Sequence, residues 1–206
     1  MTLEYIKKEY LHEDFIAATQ KQFSEQKPYP YIAIPDFFDE KELEAITEAF
    51  LEETFYEKSS DLFQFKQTQD FKSVTQEKLV AFRDFLYSKA FIDYMKKLSG
   101  LDLSYSKADI FCSLYEDTDY LLCHDDQIDT RKIAYLIYLT DLEEKDGGAL
   151  EIYESKEGKP THCVEKIYPK RNTIVFFEVS ERSFHAVEEV MGDAQRIAIT
   201  GWWHGN

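Results

Sequence analysis

The chain has 206 residues, 44% hydrophobic and 16% aromatic, with 24 Lys and Arg against 40 Asp and Glu, a net charge of −16. That length suits one large domain or two small ones with a sizeable core, and the charge disfavours direct binding to nucleic acid or anionic lipid while favouring a basic protein partner. Three cysteines without a C-x-x-C spacing indicate neither a disulfide framework nor a zinc knuckle. The first residues lack the apolar stretch of a signal peptide, and no apolar run approaches the ~20 residues of a membrane span. A soluble, cytoplasmic protein is expected, with the nucleus also open to it if its source is eukaryotic.

Residues 4–26 carry Tyr5, Ile6, Leu11, Phe15, Ile16 and Phe23 among charges, which predicts a peripheral amphipathic helix stopped by Pro28 and Pro30. Tyr31–Ile34 reads as a short edge strand before Pro35. Asp39 and Glu42 have capping-box spacing, and Leu43, Ile46 and Phe50 follow on one face, so 40–53 is expected to be helical. Leu79, Phe82 and Leu86 share such a face, and Ser88 caps a further helix that Gly100 ends. From about residue 103 the period changes. Ile110–Tyr115, Ile133–Leu139, Ala149–Tyr153, Cys163–Tyr168, Ile174–Val179 and Arg196–Trp203 are short β-branched and aromatic runs. Turn chemistry separates them at Asp129-Thr130, Asp146-Gly147-Gly148, Gly158-Lys159-Pro160, Lys170-Arg171-Asn172 and Gly192-Asp193. The expected fold is α+β: one domain over 1–206, with 1–100 mainly helical support and 101–205 a double-stranded β-helix, a cupin-like jelly-roll.

The chemistry concentrates in L-L-C-H-D-D-Q at 121–127, S-F-H-A-V at 183–187 and Q-R-I-A-I-T at 195–200. Two imidazoles and a carboxylate, from His124, Asp126 and His185, are what a facial triad needs to hold non-haem iron(II) with open positions. In an extended strand, residues two apart share a face, so His124 and Asp126 point together and Asp125 away. Arg196, opening a strand one hairpin after His185, offers a planar fork for the far carboxylate of a dicarboxylate co-substrate. This set points to an oxygenase using iron(II), 2-oxoglutarate and dioxygen. H-x-D alone is weak in a chain this acidic; the order and the apolar strand leading to His185 sharpen it. Cys123 reads as a small apolar residue rather than a nucleophile, and His12, His162 and His204 as non-ligands. No G-x-S-x-G elbow occurs, and Gly147-Gly148 has no following helix or lysine to make it a phosphate loop.

These segments, with R-K-I-A-Y-L-I-Y-L, G-G-A-L-E-I-Y, N-T-I-V-F-F-E-V-S and R-I-A-I-T-G-W-W-H-G, resemble the 2-oxoglutarate- and iron-dependent prolyl hydroxylases that modify a small-subunit ribosomal protein at the decoding centre. P-Y-P-Y-I-A-I-P-D-F-F at 28–38 and the segment at 55–70 extend the resemblance upstream, to roughly 28–205 in all. The resemblance implies iron bound by His124, Asp126 and His185, and 2-oxoglutarate held by Arg196 with Tyr138 and Tyr115. Trp202 and Trp203 are candidates for the substrate entrance. It further implies ascorbate as a candidate accessory reductant and a basic ribosomal protein as substrate. An intact Asp126 argues against the related halogenases. Eukaryotic members carry a second, non-catalytic jelly-roll, and this chain matches the first. Similar small microbial enzymes act on a translation elongation factor, which is the alternative substrate. A non-catalytic or oxygen-sensing binding module, and an oxygenase for another substrate class, are the competing readings.

Overall fold

R-K-I-A-Y-L-I-Y at Arg131–Tyr138 is apolar on both faces, and its place in the fold explains why. In the computed structural model, which describes residues 3–128 and 130–205, this strand lies inside a curled antiparallel sheet. Its Ile133, Tyr135 and Ile137 join the core beneath the helices, while Ala134, Leu136 and Tyr138 face the interior of the curl. A strand covered on both sides has no reason to alternate apolar with polar.

In chain order, a 3-10 turn at Lys8–Leu11 precedes α1 (Glu13–Glu25), β1 (Tyr31–Ile34), α2 (Glu40–Leu51), β2 (Tyr56–Ser60), β3 (Phe63–Gln67), α3 (Glu77–Leu86) and α4 (Lys89–Ser99). Then come β4 (Ala108–Tyr115), β5 (Tyr120–His124), β6 (Arg131–Tyr138), β7 (Leu150–Lys156), β8 (Lys159–Ile167), β9 (Ile174–Glu178), β10 (His185–Val187) and β11 (Arg196–His204). The strands run β1-β9-β6-β11-β4-β3-β5-β10-β7-β8, with β2 paired to β3. Curling brings the two ends of this path together, where the Tyr31 hydroxyl on β1 donates to Glu165 on β8. The double-stranded β-helix expected for the strands is thus present. Among the described residues, no helix is long and apolar enough to cross a membrane.

The predicted caps are in place, except that the capping box at Asp39 is not closed: the Asp39 N–H bonds the Tyr5 carbonyl and Glu42 pairs with Lys78. The Asp39 carboxylate accepts from the Lys41 and Glu42 amides at 3.0 and 3.2 Å, Ser88 accepts from Phe91, and Gly100 ends α4 with φ +74°. β1 lies at the sheet edge, as its sequence indicates.

Several expectations need correction. Residues 4–26 do not make one helix. Ile6 pairs with Phe38 in a β-bridge, and the backbone of His12 is extended, so only Glu13–Glu25 winds as α-helix. The second helix stops at Leu51 rather than residue 53. β8 starts at Lys159, inside the segment expected to turn, because an edge strand tolerates Pro160. The turn expected at Asp129-Thr130 falls partly on Asp129, which lies outside the described residues. The division near residue 100 is crossed by β1, β2 and β3, all members of the sheet, with β3 lying between β4 and β5.

Asn172 fastens the helical layer to the sheet. It is buried, with φ +63°. Its amide accepts from the Phe38 N–H at 2.8 Å and donates to the Phe38 carbonyl at 2.9 Å. Asn172→Ala leaves both backbone groups unpaired in the interior and places alanine in a left-handed conformation. A loss of about 3 kcal/mol is expected in urea denaturation, since each orphaned buried group costs roughly 1–3 kcal/mol.

Candidate active site

Two strands and one turn bring the three candidate metal ligands together. On β10, His185 lies directly across from His124 on β5, and Val187 across from Leu121. Two residues on β10 thus span three on β5, a β-bulge. The bulge resets the alternation of β5, so that Leu121 and His124 both line the same cavity. The two imidazole rings come within 4.2 Å, centroid to centroid.

Asp126 arrives by a different route from the one its spacing suggests. β5 ends at His124, and Asp126 adopts a left-handed conformation with φ +62°. The carboxylate therefore reaches the cavity through a turn, not through strand alternation. Aspartate tolerates this region better than most residues, and such strain concentrates at functional positions. Asp125 is used locally, accepting from the Gln127 amide.

The imidazoles are oriented by backbone. His124 Nδ1 lies 2.9 Å from the Leu122 carbonyl and His185 Nδ1 2.8 Å from the Ser183 carbonyl. A carbonyl oxygen only accepts, so each Nδ1 carries the proton and each Nε2 presents its lone pair inward. These Nε2 atoms stand 3.4 Å from Asp126 Oδ1 and Oδ2 respectively, and one ligand atom from each residue falls within 4.8 Å of the others. Burial works against the charged form of His124, yet the neighbouring Asp126 carboxylate raises its pKa overall. Burial likewise works against the Asp126 carboxylate, but the two histidines outweigh it and hold this group well below the usual carboxylate range. The pocket is built for a positive charge at its centre.

Arg196 enters the same cavity from the start of β11 and is 1% exposed. Its Nε donates to the Gly148 carbonyl at 2.8 Å and its Nη2 stands 3.5 Å from the Tyr138 hydroxyl. The guanidinium lies 5.1 Å from the Tyr115 ring centre and 5.2 Å from that of Tyr138. Among the described residues it has no carboxylate partner. An unpaired buried charge costs several kcal/mol, so the site calls for an anion there. Tyr115 lines the cavity opposite Arg196 in the β4–β11 ladder. Tyr138 is fully buried and is not among the lining residues; it meets the cavity through Arg196.

The cavity measures about 560 Å³. Its remaining wall is largely apolar, with Phe65, Leu121, Leu136, Leu150, Phe177 and Val187. A metal held at the triad and a dicarboxylate reaching Arg196 both fit the donors present. Of the other candidates, Trp203 is core, stacked on Tyr135 at 3.9 Å, whereas Trp202 lines the cavity. His204 pairs with Asp109 away from the triad. Burial pushes the half-buried Cys123 thiol up to about 11, which leaves it a poor nucleophile.

Residues 110–204 match the 2OG-Fe(II) oxygenase superfamily. That stretch takes in His124, Asp126, His185 and Arg196. The chain is 37% identical over 182 residues to the prolyl 3-hydroxylase OGFOD1 of Xenopus laevis, covering 86% of this chain and 35% of that protein. It is 40% identical over 195 residues to the prolyl 3,4-dihydroxylase OGFOD1 of Ostreococcus tauri, covering 86% of this chain and 38% of that one. The chain therefore spans little more than a third of the length of these curated relatives. A crystal structure of a Pseudomonas putida prolyl-4-hydroxylase shares the fold, with TM-score 0.71 and 17% identity over 93% of this chain and 99% of that one. The iron(II), 2-oxoglutarate and dioxygen of the matched family accord with the triad and with Arg196, which has no carboxylate partner among the described residues.

Sequence reasoning passed over two residues of this site. Ser183, fully buried, donates its hydroxyl to the Asp125 carbonyl at 2.9 Å while its own carbonyl fixes His185. One serine thus ties both ligand-bearing segments together; its place two residues before the histidine is the only trace in the sequence. Gly148, with φ +72°, seats Arg196, and a Cβ there would lie 3.3 Å from the arginine Cδ and 2.7 Å from Leu142 Cδ2. Arg196→Lys keeps the charge but loses the fork and its bond to Gly148. The affinity of the metal-loaded protein for 2-oxoglutarate, followed by calorimetry, is expected to fall about 10–100-fold, the equivalent of one or two charge-assisted hydrogen bonds. Ser183→Ala is expected to weaken manganese(II) binding to the metal-free protein by about 10-fold, the low end for loss of a group that orients a ligand.

Proposed function

We propose that this protein is a 2-oxoglutarate- and iron(II)-dependent prolyl hydroxylase acting on a component of the translation machinery, most simply a small-subunit ribosomal protein. The observation that carries the oxygenase reading is a buried arginine, without a carboxylate partner among the described residues, in the same cavity as two tautomer-fixed histidines and one aspartate. The prolyl specificity is supported by the 37–40% identity to prolyl hydroxylases. A net charge of −16 accords with a basic polypeptide as substrate.

The division of labour follows from the geometry. His124, Asp126 and His185 would hold the metal through Nε2, a carboxylate oxygen and Nε2. Arg196 would pair with the distal carboxylate of 2-oxoglutarate, with Tyr115 and Tyr138 flanking the guanidinium. Burial keeps both phenols protonated by raising their pKa values, so they face an anion as neutral donors. The bound iron and co-substrate supply the oxidising chemistry: one oxygen atom of dioxygen enters a prolyl C–H bond, and the other enters 2-oxoglutarate as it becomes succinate and carbon dioxide. The apolar wall excludes water and leaves room for a prolyl ring beside the triad.

A peptide from the decoding-centre loop of the host ribosomal protein, incubated with enzyme, iron(II) and 2-oxoglutarate, is expected to gain one oxygen on proline by mass spectrometry. His124→Ala is expected to abolish both this gain and substrate-dependent succinate. Oxidation of a matching elongation-factor peptide instead would move the substrate to that factor. Binding of either peptide without succinate would favour the non-catalytic module.

A further inference from the structure

Asp126 is the metal-site carboxylate, and both of its oxygens have neighbours besides the histidines. The indole Nε1 of Trp202 donates to Oδ2 at 2.9 Å, a bond of ordinary length and strength. On the other side, Arg131 Nη1 stands 3.5 Å from Oδ1, at the outer limit of a hydrogen bond. The two neighbours also hold each other: the Arg131 guanidinium lies 3.4 Å from the centre of the Trp202 ring. They come from adjacent strands, Arg131 opening β6 and Trp202 near the end of β11. Trp202 is half-buried and packs in part against Phe111, so shape alone does not require an indole. A phenyl ring could cover the same wall. What the indole adds is one N–H, and that N–H is spent on the carboxylate.

A carboxylate can meet a cation through one oxygen or through both, and a chelating one occupies an additional position. Asp126 lies beyond the end of β5 with a left-handed backbone, so no strand ladder fixes its carboxylate. We propose that Trp202 is a positioning residue for Asp126: its indole N–H reserves Oδ2, so that the metal is met by Oδ1 alone, and Arg131 braces the indole in that orientation. The proposal rests on the metal-binding reading of His124, Asp126 and His185. It assigns to Trp202 a role in the metal site in addition to its place on the cavity wall.

The test uses the metal-free full chain titrated with manganese(II) for affinity and cobalt(II) for its visible absorption spectrum. Trp202→Phe is expected to weaken manganese(II) binding about 10–100-fold and to change the intensity of the cobalt(II) bands, which follow coordination number. The melting temperature of the metal-free protein should stay close to that of the unsubstituted chain. Trp202→Gln, which returns an N–H donor without the ring, is expected to recover part of the affinity. Should Trp202→Phe fail to fold, Trp202→Leu, which keeps apolar cover on the wall without the N–H, reads the same two quantities and is expected to shift both in the same direction. Manganese(II) affinity and a cobalt(II) spectrum identical to those of the unsubstituted protein in Trp202→Phe, with binding abolished in His185→Ala, would overturn the role of Trp202 while leaving the triad intact. Absence of metal binding by the unsubstituted chain would overturn the triad reading and this proposal together.

Discussion

The cross-strand register of His124 and His185 is the constraint on which the site depends. Side chains alternate faces along a strand, so slipping β10 by one residue would send His185 out of the cavity and Ala186 in. Three features hold the register: the bulge on β5, the β10–β7 ladder that places His185 opposite Ile152, and the Ser183 hydroxyl reaching the Asp125 carbonyl. β10 has only three residues and could not fix its own position. Its place is imposed from both sides, and the ligands inherit precision from neighbours that never touch a metal.

The buried Arg196 is the converse case, a group whose environment stabilises it only in part. Backbone and phenol contacts supply hydrogen bonds and a polarisable surround, but no described residue supplies a countercharge. A domain that keeps such a cation accepts lower stability when empty and recovers it when an anion arrives. Ligand binding and folding are therefore linked, and an anionic co-substrate raises the apparent stability by mass action. Gly148 takes part in the same economy, because any side chain at that position would crowd the arginine stem.

Much of this was legible in the sequence. The apolar strands β6, β9 and β11, the capped helices α2 and α4, and the ligand triplet with its arginine all carry direct signatures. β2 and β3 did not, since Tyr56–Ser60 is exposed at every position and shows no alternation. β5 and β10 were hidden for another reason: one carries the bulge and the other is too short for a period. The H-x-D spacing led to residues that do converge, but by a wrong geometric argument, because Asp126 has a left-handed backbone that the residue types alone do not specify. The bonds of Ser183 to Asp125 and of Trp202 to Asp126 were opaque because the partners are distant in sequence. Only the fold brings Asp126 within 2.9 Å of an indole 76 residues away.

A sheet of this length must stop somewhere, and where it stops bears on how the protein behaves in a crowded solution. A terminal strand exposes unpaired amides and carbonyls that can recruit a strand from another molecule. Here β2 ends the hairpin branch with Tyr-Glu-Lys-Ser-Ser, and β8 ends the main path with a lysine, a proline and further charges between Lys159 and Ile167. At the other end of the path, the Tyr31 hydroxyl is engaged by Glu165 of β8. Charge, proline and closure on itself are all poor templates for a foreign strand. The rolled architecture that shelters the ligand cavity thus also discourages the chain from polymerising through its own borders.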